Sequence, residues 1–144
     1  MTYNSRTDRL KAYKETSVKT ASPGKLIVML YEEALKQIDR AIELLKSDTK
    51  KYDIVNNAII RSQDVIAELM VSLDFNKGGE VAKNLFNLYM FFNNRLMEGN
   101  MAKKPEPLQE VRDNMAELKE AWEMLEKGTA DGNGKSRVGV NIAG

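Results

Sequence analysis

Apolar residues recur at intervals of three and four along most of this sequence, which is the spacing of one face of an α-helix. The pattern divides into four segments, at about 22–46, 51–73, 80–98 and 108–127. All three prolines, Pro23, Pro105 and Pro107, fall where a segment begins. Proline is tolerated there because the first helical turn leaves its N–H positions without partners. Between residues 22 and 127 no stretch alternates with the period of a β-strand. The pattern therefore predicts an all-α protein.

Four helices of similar length with short connections favour an antiparallel, up-down four-helix bundle. We expect a polar N-terminal arm over residues 1–21, the bundle over 22–127, and a flexible C-terminal tail over 128–144 that is rich in Gly and Asn. Gly128 is predicted to cap the last helix. The tail also contains Val138, Val140 and Ile142, which leaves docking on a groove open.

The helices differ in the width of their apolar stripes. A helix packed only into a bundle needs a single stripe. The fourth helix has one stripe of about 100°. The third has an ordinary core stripe that further apolar residues widen to about 200°. Met70 and Met115 are predicted to fill the core. The predicted core stripe of the fourth helix is Leu108, Val111, Met115, Leu118, Trp122 and Leu125, and that of the third is Val81, Leu85, Leu88, Phe92 and Leu96.

The surplus apolar residues have two interpretations. They are buried by the bundle and its arm, or they line grooves in which amphipathic helices of a partner dock. Methionine suits a surface of the second kind because its flexible thioether adapts to varied shapes. If such a surface exists, its residues are Ile60, Ala67 and Val71 from the second helix, and Phe86, Met90, Phe91 and Met97 from the third; Ala82 and Tyr89 also belong to the widened stripe.

Composition argues against several functions. The chain has no Cys and no His, so the common catalytic triads and zinc sites are excluded, and we expect no metal and no cofactor. The carboxylates of Glu32, Glu33 and Glu68 are predicted to be solvated, so we do not expect an enzyme. A net charge of +1 gives no field for nucleic acid. No apolar run reaches the length of a membrane span, and no secretory signal is present, which predicts a cytoplasmic protein without membrane insertion.

Three stretches are informative together: TASPGKLIVMLY at 20–31, LDFNKGGEVAKNL at 73–85, and NNRLMEGN at 93–100, the last followed by Glu110-Val111 and Ala121-Trp122. In this order and spacing they resemble the FliS family of flagellin export chaperones. The resemblance covers about residues 10–127. It implies a helical bundle that holds the C-terminal segment of flagellin in the cytoplasm in an extended, largely helical form. It also implies that the chaperone blocks premature polymerisation and brings flagellin to the export gate protein FlhA.

By position, Leu10 and Tyr13 match an apolar residue and a tyrosine of the family's N-terminal arm. The resemblance implies that this pair contacts the export gate, and that the arm can cover the client surface when no client is bound. Two residues depart from the family pattern: Glu33 stands where glycine is usual, and Asn94 replaces one of two arginines. We expect a monomer or a weak dimer. The alternative function is a helical adaptor or homo-oligomerising regulator whose surplus apolar faces bury one another.

Overall fold

The computed structural model of the protein describes residues 23–47 and 50–130, with side chains as far as Gly128. These residues form four α-helices: α1 Pro23–Lys46, α2 Tyr52–Val71, α3 Phe75–Ala102 and α4 Pro105–Ala130. No β-strand occurs in this part of the chain, and the all-α prediction is confirmed. Leu10 and Tyr13 lie outside the described residues, so the division into arm, bundle and tail stays a prediction.

The helices form a ring in which each packs on its neighbours in the sequence and α1 closes on α4. Ion pairs between α1 and α4 show the antiparallel direction. Lys119 is paired with Glu32 at 3.8 Å, and Arg112, earlier in α4, is paired with Asp39, later in α1, at 3.0 Å. Polar contacts of α2 with α3 run in the same opposed sense. The arrangement is the antiparallel bundle that the short connections predicted.

The core lies along the axis of this ring. Leu108, Val111 and Met115 of α4 are completely buried, and Met70 of α2 packs against the core with part of its surface exposed. Both methionines therefore fill the interior as predicted. The largest side chains that are almost completely buried are Tyr31, Tyr89, Phe92, Ile38, Ile59, Ile66, Leu69 and Leu96, together with Leu108 and Met115.

The predicted core stripe of α3 is wrong in one respect. Val81 is 44% exposed, whereas Ala82 and Tyr89, expected among the surplus residues, are fully buried or nearly so. The inward face of α3 is thus rotated from the predicted one toward Ala82 and Tyr89. Two features accompany this rotation: the backbone of Gly79 is non-helical (φ 51°, ψ −123°), and the Tyr89 hydroxyl lies 2.7 Å from the Tyr31 hydroxyl of α1.

The helix ends also differ from the prediction. Gly99, expected to stop the third helix, is buried within α3, and a Cβ there would lie 2.2 Å from Leu108 Cδ1. The helix instead ends at Ala102, and the left-handed backbone of the following Lys103 (φ 53°, ψ 46°) reverses the chain. At the other end of the bundle, α4 continues through Gly128 to Ala130, so Gly128 is not a cap. At position 99, glycine therefore allows close packing against Leu108 and does not form a turn.

Candidate docking surface

The seam between α2 and α3 is joined by amide groups. Gln63 Nε2 donates a hydrogen bond to the Asn93 carbonyl at 3.1 Å, and Asn93 Nδ2 donates to the Gln63 carbonyl at 3.3 Å. Further along the seam, Asn100 Nδ2 donates to Asn56 Oδ1 at 2.7 Å. The two contacts are seven residues apart on each helix in opposite directions, so they fix one antiparallel register for the whole pair.

This register places predicted surface residues of α2 level with those of α3. To within one residue, Ile60 is level with Met97, Ala67 with Met90, and Val71 with Phe86. All six occupy positions near one outward edge of their helix, since residues three, four, seven and eleven apart share a face. Ile60, Met90 and Met97 are 44–47% exposed and Val71 is 86% exposed, while Phe86 is half-buried. We call these six residues the α2–α3 apolar surface.

Two residues extend this surface beyond its predicted ends. Met101, one turn after Met97, is 79% exposed, and Phe75 contacts the Phe86 ring edge-to-face with 5.9 Å between centroids. The predicted helix–helix turn had assigned Phe75 to a connection, where an apolar side chain has no periodicity to mark it. Met101 follows Met90 and Met97 at helical spacing and lies in α3 beyond residue 98, where the sequence pattern predicted the third helix to end.

Phe91 lies away from the other predicted residues. It is one residue after Met90 and therefore about 100° further round the helix. Arg95, one turn after Phe91, pairs with Glu110 of α4 at 2.7 Å, which places Phe91 on the flank of α3 that faces α4. The structure therefore brings together six of the seven predicted residues of the bundle and sets Phe91 apart.

A second apolar feature lies on the other side of α2. A groove of about 450 Å³ runs between the first turns of α1 and the last turns of α2. We call it the α1–α2 groove. Its apolar lining is Pro23, Leu26, Ile27, Leu30, Ala67 and Val71, and Asp64, Glu68 and Ser72 complete it. Ala67 and Val71 thus belong to both features, and α2 is the helix they share.

A more polar groove of about 480 Å³ continues along the same two helices. Gln37 and Arg40 of α1 face Asn57 and Arg61 of α2 across it, and Asp64 lines both grooves. The outer face of α1 and α2 therefore changes from apolar near Pro23 to polar and arginine-rich near Arg40.

The one buried polar contact between α1 and α3 lies beneath these surfaces, in the described core. The hydroxyls of Tyr31 and Tyr89 are hydrogen-bonded, and the two rings meet edge-to-face. Burial raises the pKa of Tyr31 to about 12. Burial, with the neighbouring Tyr31 as a smaller cause, also raises the pKa of Tyr89. Both hydroxyls therefore stay protonated across the neutral range, and the pair ties α3 to α1.

Two of the three carboxylates considered from the sequence, those of Glu32 and Glu33, are engaged in surface contacts. Glu33 accepts a hydrogen bond from Gln37 at 3.2 Å and lies 3.5 Å from Arg61, and Glu32 is paired with Lys119. Within residues 23–47 and 50–130 no group of three acidic side chains is placed to hold a metal ion. None of the described helices has the length and apolarity needed to cross a membrane.

The described residues form a helical bundle with apolar side chains along its outer face. This combination is typical of proteins that bind a partner. The sequence profile of the family described as Flagellar protein FliS matches residues 6–129. The chain therefore belongs to the FliS family of flagellar secretion chaperones, and the resemblance seen in the sequence is confirmed.

Curated relatives agree with this assignment. The flagellar secretion chaperone FliS of Bacillus subtilis is 32% identical over 111 residues, which is 77% of this chain and 80% of the relative. That of Salmonella typhimurium is 32% identical over 123 residues, covering 81% and 88% of the two chains. That of Vibrio cholerae is 29% identical over 120 residues, covering 81% and 87%.

Proposed function

We propose that this chain binds the C-terminal segment of flagellin in the cytoplasm, prevents its premature polymerisation, and delivers it to the export gate protein FlhA. The observation that carries the proposal is the α2–α3 apolar surface, where side chains of two helices stand level with one another and exposed. Amphipathic helices bind grooves and ridges of this kind through apolar residues on one face. The proposed binding is stoichiometric and involves no reaction.

The energetics favour a client that must later be released. A segment that is disordered when free loses conformational entropy on docking, which costs about 2–5 kcal/mol of the gross interaction energy. Apolar contact with methionine and aromatic side chains offsets this cost without demanding one shape. The net affinity is then high enough to hold the client and low enough to transfer it.

Charged substitutions on α3 test the client surface. We expect Phe86→Glu and Met90→Glu each to weaken the binding of a flagellin C-terminal peptide at least about tenfold, because a carboxylate would lose its hydration in the contact. Isothermal titration calorimetry measures the change. Met124→Glu is the matched control, since Met124 of α4 is 71% exposed and lies off this surface.

The same measurement separates the two flanks of α3. Phe91→Glu is expected to weaken peptide binding much less than Met90→Glu, because Phe91 faces α4. Circular dichroism checks that each variant is folded. Unchanged affinity in both Phe86→Glu and Met90→Glu, with the fold intact, would overturn the assignment of this surface to flagellin.

Delivery to the export gate is proposed for Leu10 and Tyr13. We expect Tyr13→Ala to reduce binding to the cytoplasmic domain of FlhA more than it reduces binding to the flagellin peptide, because the resemblance assigns the arm to the gate. Pull-down assays of the chaperone–flagellin complex on immobilised FlhA measure the first, and calorimetry the second. Equal losses in the two assays would argue against separate roles for arm and bundle.

A further inference from the structure

We propose that residues 137–142 of this same chain dock in the α1–α2 groove and compete with the flagellin segment for Ala67 and Val71, which the groove shares with the α2–α3 apolar surface. The competition rests on the proposed function, whereas the docking does not. Four observations carry the inference: where α4 ends, how far the following residues reach, their apolar pattern, and the charge of the groove.

The end of α4 lies beside the open end of the groove. Gly24, next to the groove residue Pro23, packs so closely on α4 that a Cβ added to it would lie 2.2 Å from Glu126 Oε1. Val71, at the end of the antiparallel α2, lines the groove together with Pro23. The chain that follows Ala130 therefore begins one helix away from the groove.

The distances suit a short connection. Neighbouring helices lie about 8–10 Å apart, and residues 131–136 span up to about 20 Å when extended. They can therefore carry the chain from α4 across the start of α1. The next residues, 138–142, span about 13 Å in an extended conformation. The stretch of α1 from Pro23 to Leu30 that lines the groove is about 10 Å long.

The apolar pattern of this segment suits a groove with one apolar wall. Val138, Val140 and Ile142 alternate with Gly139 and Asn141. In an extended chain alternate side chains point to the same side, so all three apolar residues can face Leu26, Leu30 and Ala67 at once. This period of two occurs nowhere in the helical part of the sequence.

The charges of segment and groove are opposite. Asp64 and Glu68 line the groove, and neither forms an ion pair with any residue that the structure describes. Lys135 and Arg137 precede the apolar residues of the segment. A segment that enters from the end near Val71 brings Arg137 past Glu68 first, which orients it.

Covalent connection makes even a weak contact effective. A short flexible connection gives an effective concentration on the order of 1 mM. A segment that would bind in trans with a Kd of about 0.1 mM is then bound most of the time, and it raises the apparent Kd of a competitor about tenfold. The segment therefore favours clients that bind strongly enough to displace it.

A spin label on the full-length chain tests the docking directly. The chain has no cysteine, so an Ala143→Cys variant carries a single nitroxide. In two-dimensional NMR spectra we expect paramagnetic broadening of the amide signals of residues 23–30 and 64–72, and little broadening over 86–101. The proposal would be overturned if the amide signals of the groove are not broadened. It would also be overturned if broadening occurs only between molecules, that is, when chains that carry the nitroxide broaden the signals of chains that lack it. The second result would indicate a second copy as the occupant.

Two full-length variants serve as controls. The combined change Val138→Asp, Val140→Asp and Ile142→Asp should abolish the broadening, and Glu68→Lys should reduce it because the charge of the groove is reversed. Glu68 is exposed, so its replacement leaves the described core unchanged. Broadening that persists in the first variant would overturn the role of the apolar residues.

The competition has its own measurement. The tail variant with three aspartates should bind the flagellin C-terminal peptide at least about threefold more tightly than the unaltered chain, and the peptide should relieve the broadening of the latter. An unchanged Kd overturns the competition. If no variant binds the peptide but the broadening is present, the docking stands and the proposed function fails.

Discussion

The hydrogen bond between Tyr31 and Tyr89 is a residue-scale feature with a consequence for stability. Neither hydroxyl has access to solvent, so removal of one leaves the other without this partner inside the core. An unpartnered buried hydroxyl costs about 1–3 kcal/mol. Removal of both at once avoids that penalty, so the double replacement by Phe should cost less than the sum of the single ones.

The same pair predicts a pH dependence. The pKa of Tyr31 is raised to about 12 from an ordinary value of 10.0, so the unfolded chain loses this proton at lower pH than the folded protein. The stabilisation is complete below pH 10 and is lost as the pH rises through 12. We expect the free energy of unfolding to fall over this range less steeply in Tyr31→Phe/Tyr89→Phe than in the unaltered chain. Urea titrations at several alkaline pH values measure both slopes, and parallel slopes would contradict the burial of the pair.

At the scale of the helix, the two glycines of α3 act in different ways. Gly79 has a positive φ with no atom within 4 Å of a Cβ, so Gly79→Ala meets only conformational strain, about 1–3 kcal/mol. Gly99→Ala meets Leu108 at 2.2 Å and must displace a buried side chain, at a cost also of about 1–3 kcal/mol. Gly128→Ala, in helix with open space around it, is the control and should stabilise slightly. Chemical denaturation measures all three.

A second substitution at Leu108 separates the two mechanisms. Gly99→Ala should cost less stability in a Leu108→Ala background than in the unaltered chain, because the truncated side chain leaves the space that the new Cβ needs. Gly79→Ala should cost the same in both backgrounds. Equal behaviour of the two glycine variants would contradict the assignment of packing to Gly99 and of backbone conformation to Gly79.

The helices show how far the sequence alone leads. Periodicity located all four, because amphipathic stripes repeat regardless of context, and Pro23 marked the start of α1 correctly. The rotation of α3 was missed, since it depends on the backbone at Gly79 and on the Tyr31–Tyr89 contact, neither of which leaves a local pattern. The sequence alone could not predict that Ile60 lies level with Met97, because this depends on the register that the Gln63–Asn93 amides fix.

Across the whole molecule, the seams between helices differ in chemistry. The α1–α2, α3–α4 and α1–α4 seams each carry an ion pair, namely Glu33–Arg61, Arg95–Glu110 and Asp39–Arg112. The α2–α3 contacts given above are neutral amide hydrogen bonds. Exposed ion pairs contribute at most about 1 kcal/mol and are screened by salt. The seam beneath the α2–α3 apolar surface is therefore the one least affected by ionic strength.

Double-mutant cycles at two salt concentrations test this difference. We expect the coupling energy between Asp39 and Arg112, measured with Asn and Gln replacements, to fall toward zero in about 1 M NaCl, where the screening length is about 3 Å. The coupling between Asn56 and Asn100, measured with Ala replacements, should change little. The unfolding free energies come from urea titrations, and a general effect of salt on stability cancels within each cycle. Equal losses of coupling would contradict the distinction.

The length of the α2–α3 apolar surface limits the length of a helix that can lie along it. From Phe86 to Met101 it follows sixteen residues of α3, about 22 Å, with the Phe75 ring at one end and the turn at Lys103 at the other. This length corresponds to about four turns of a partner helix. If the proposed flagellin helix lies along this surface, a longer helix must bend at one of these two limits and continue on another face.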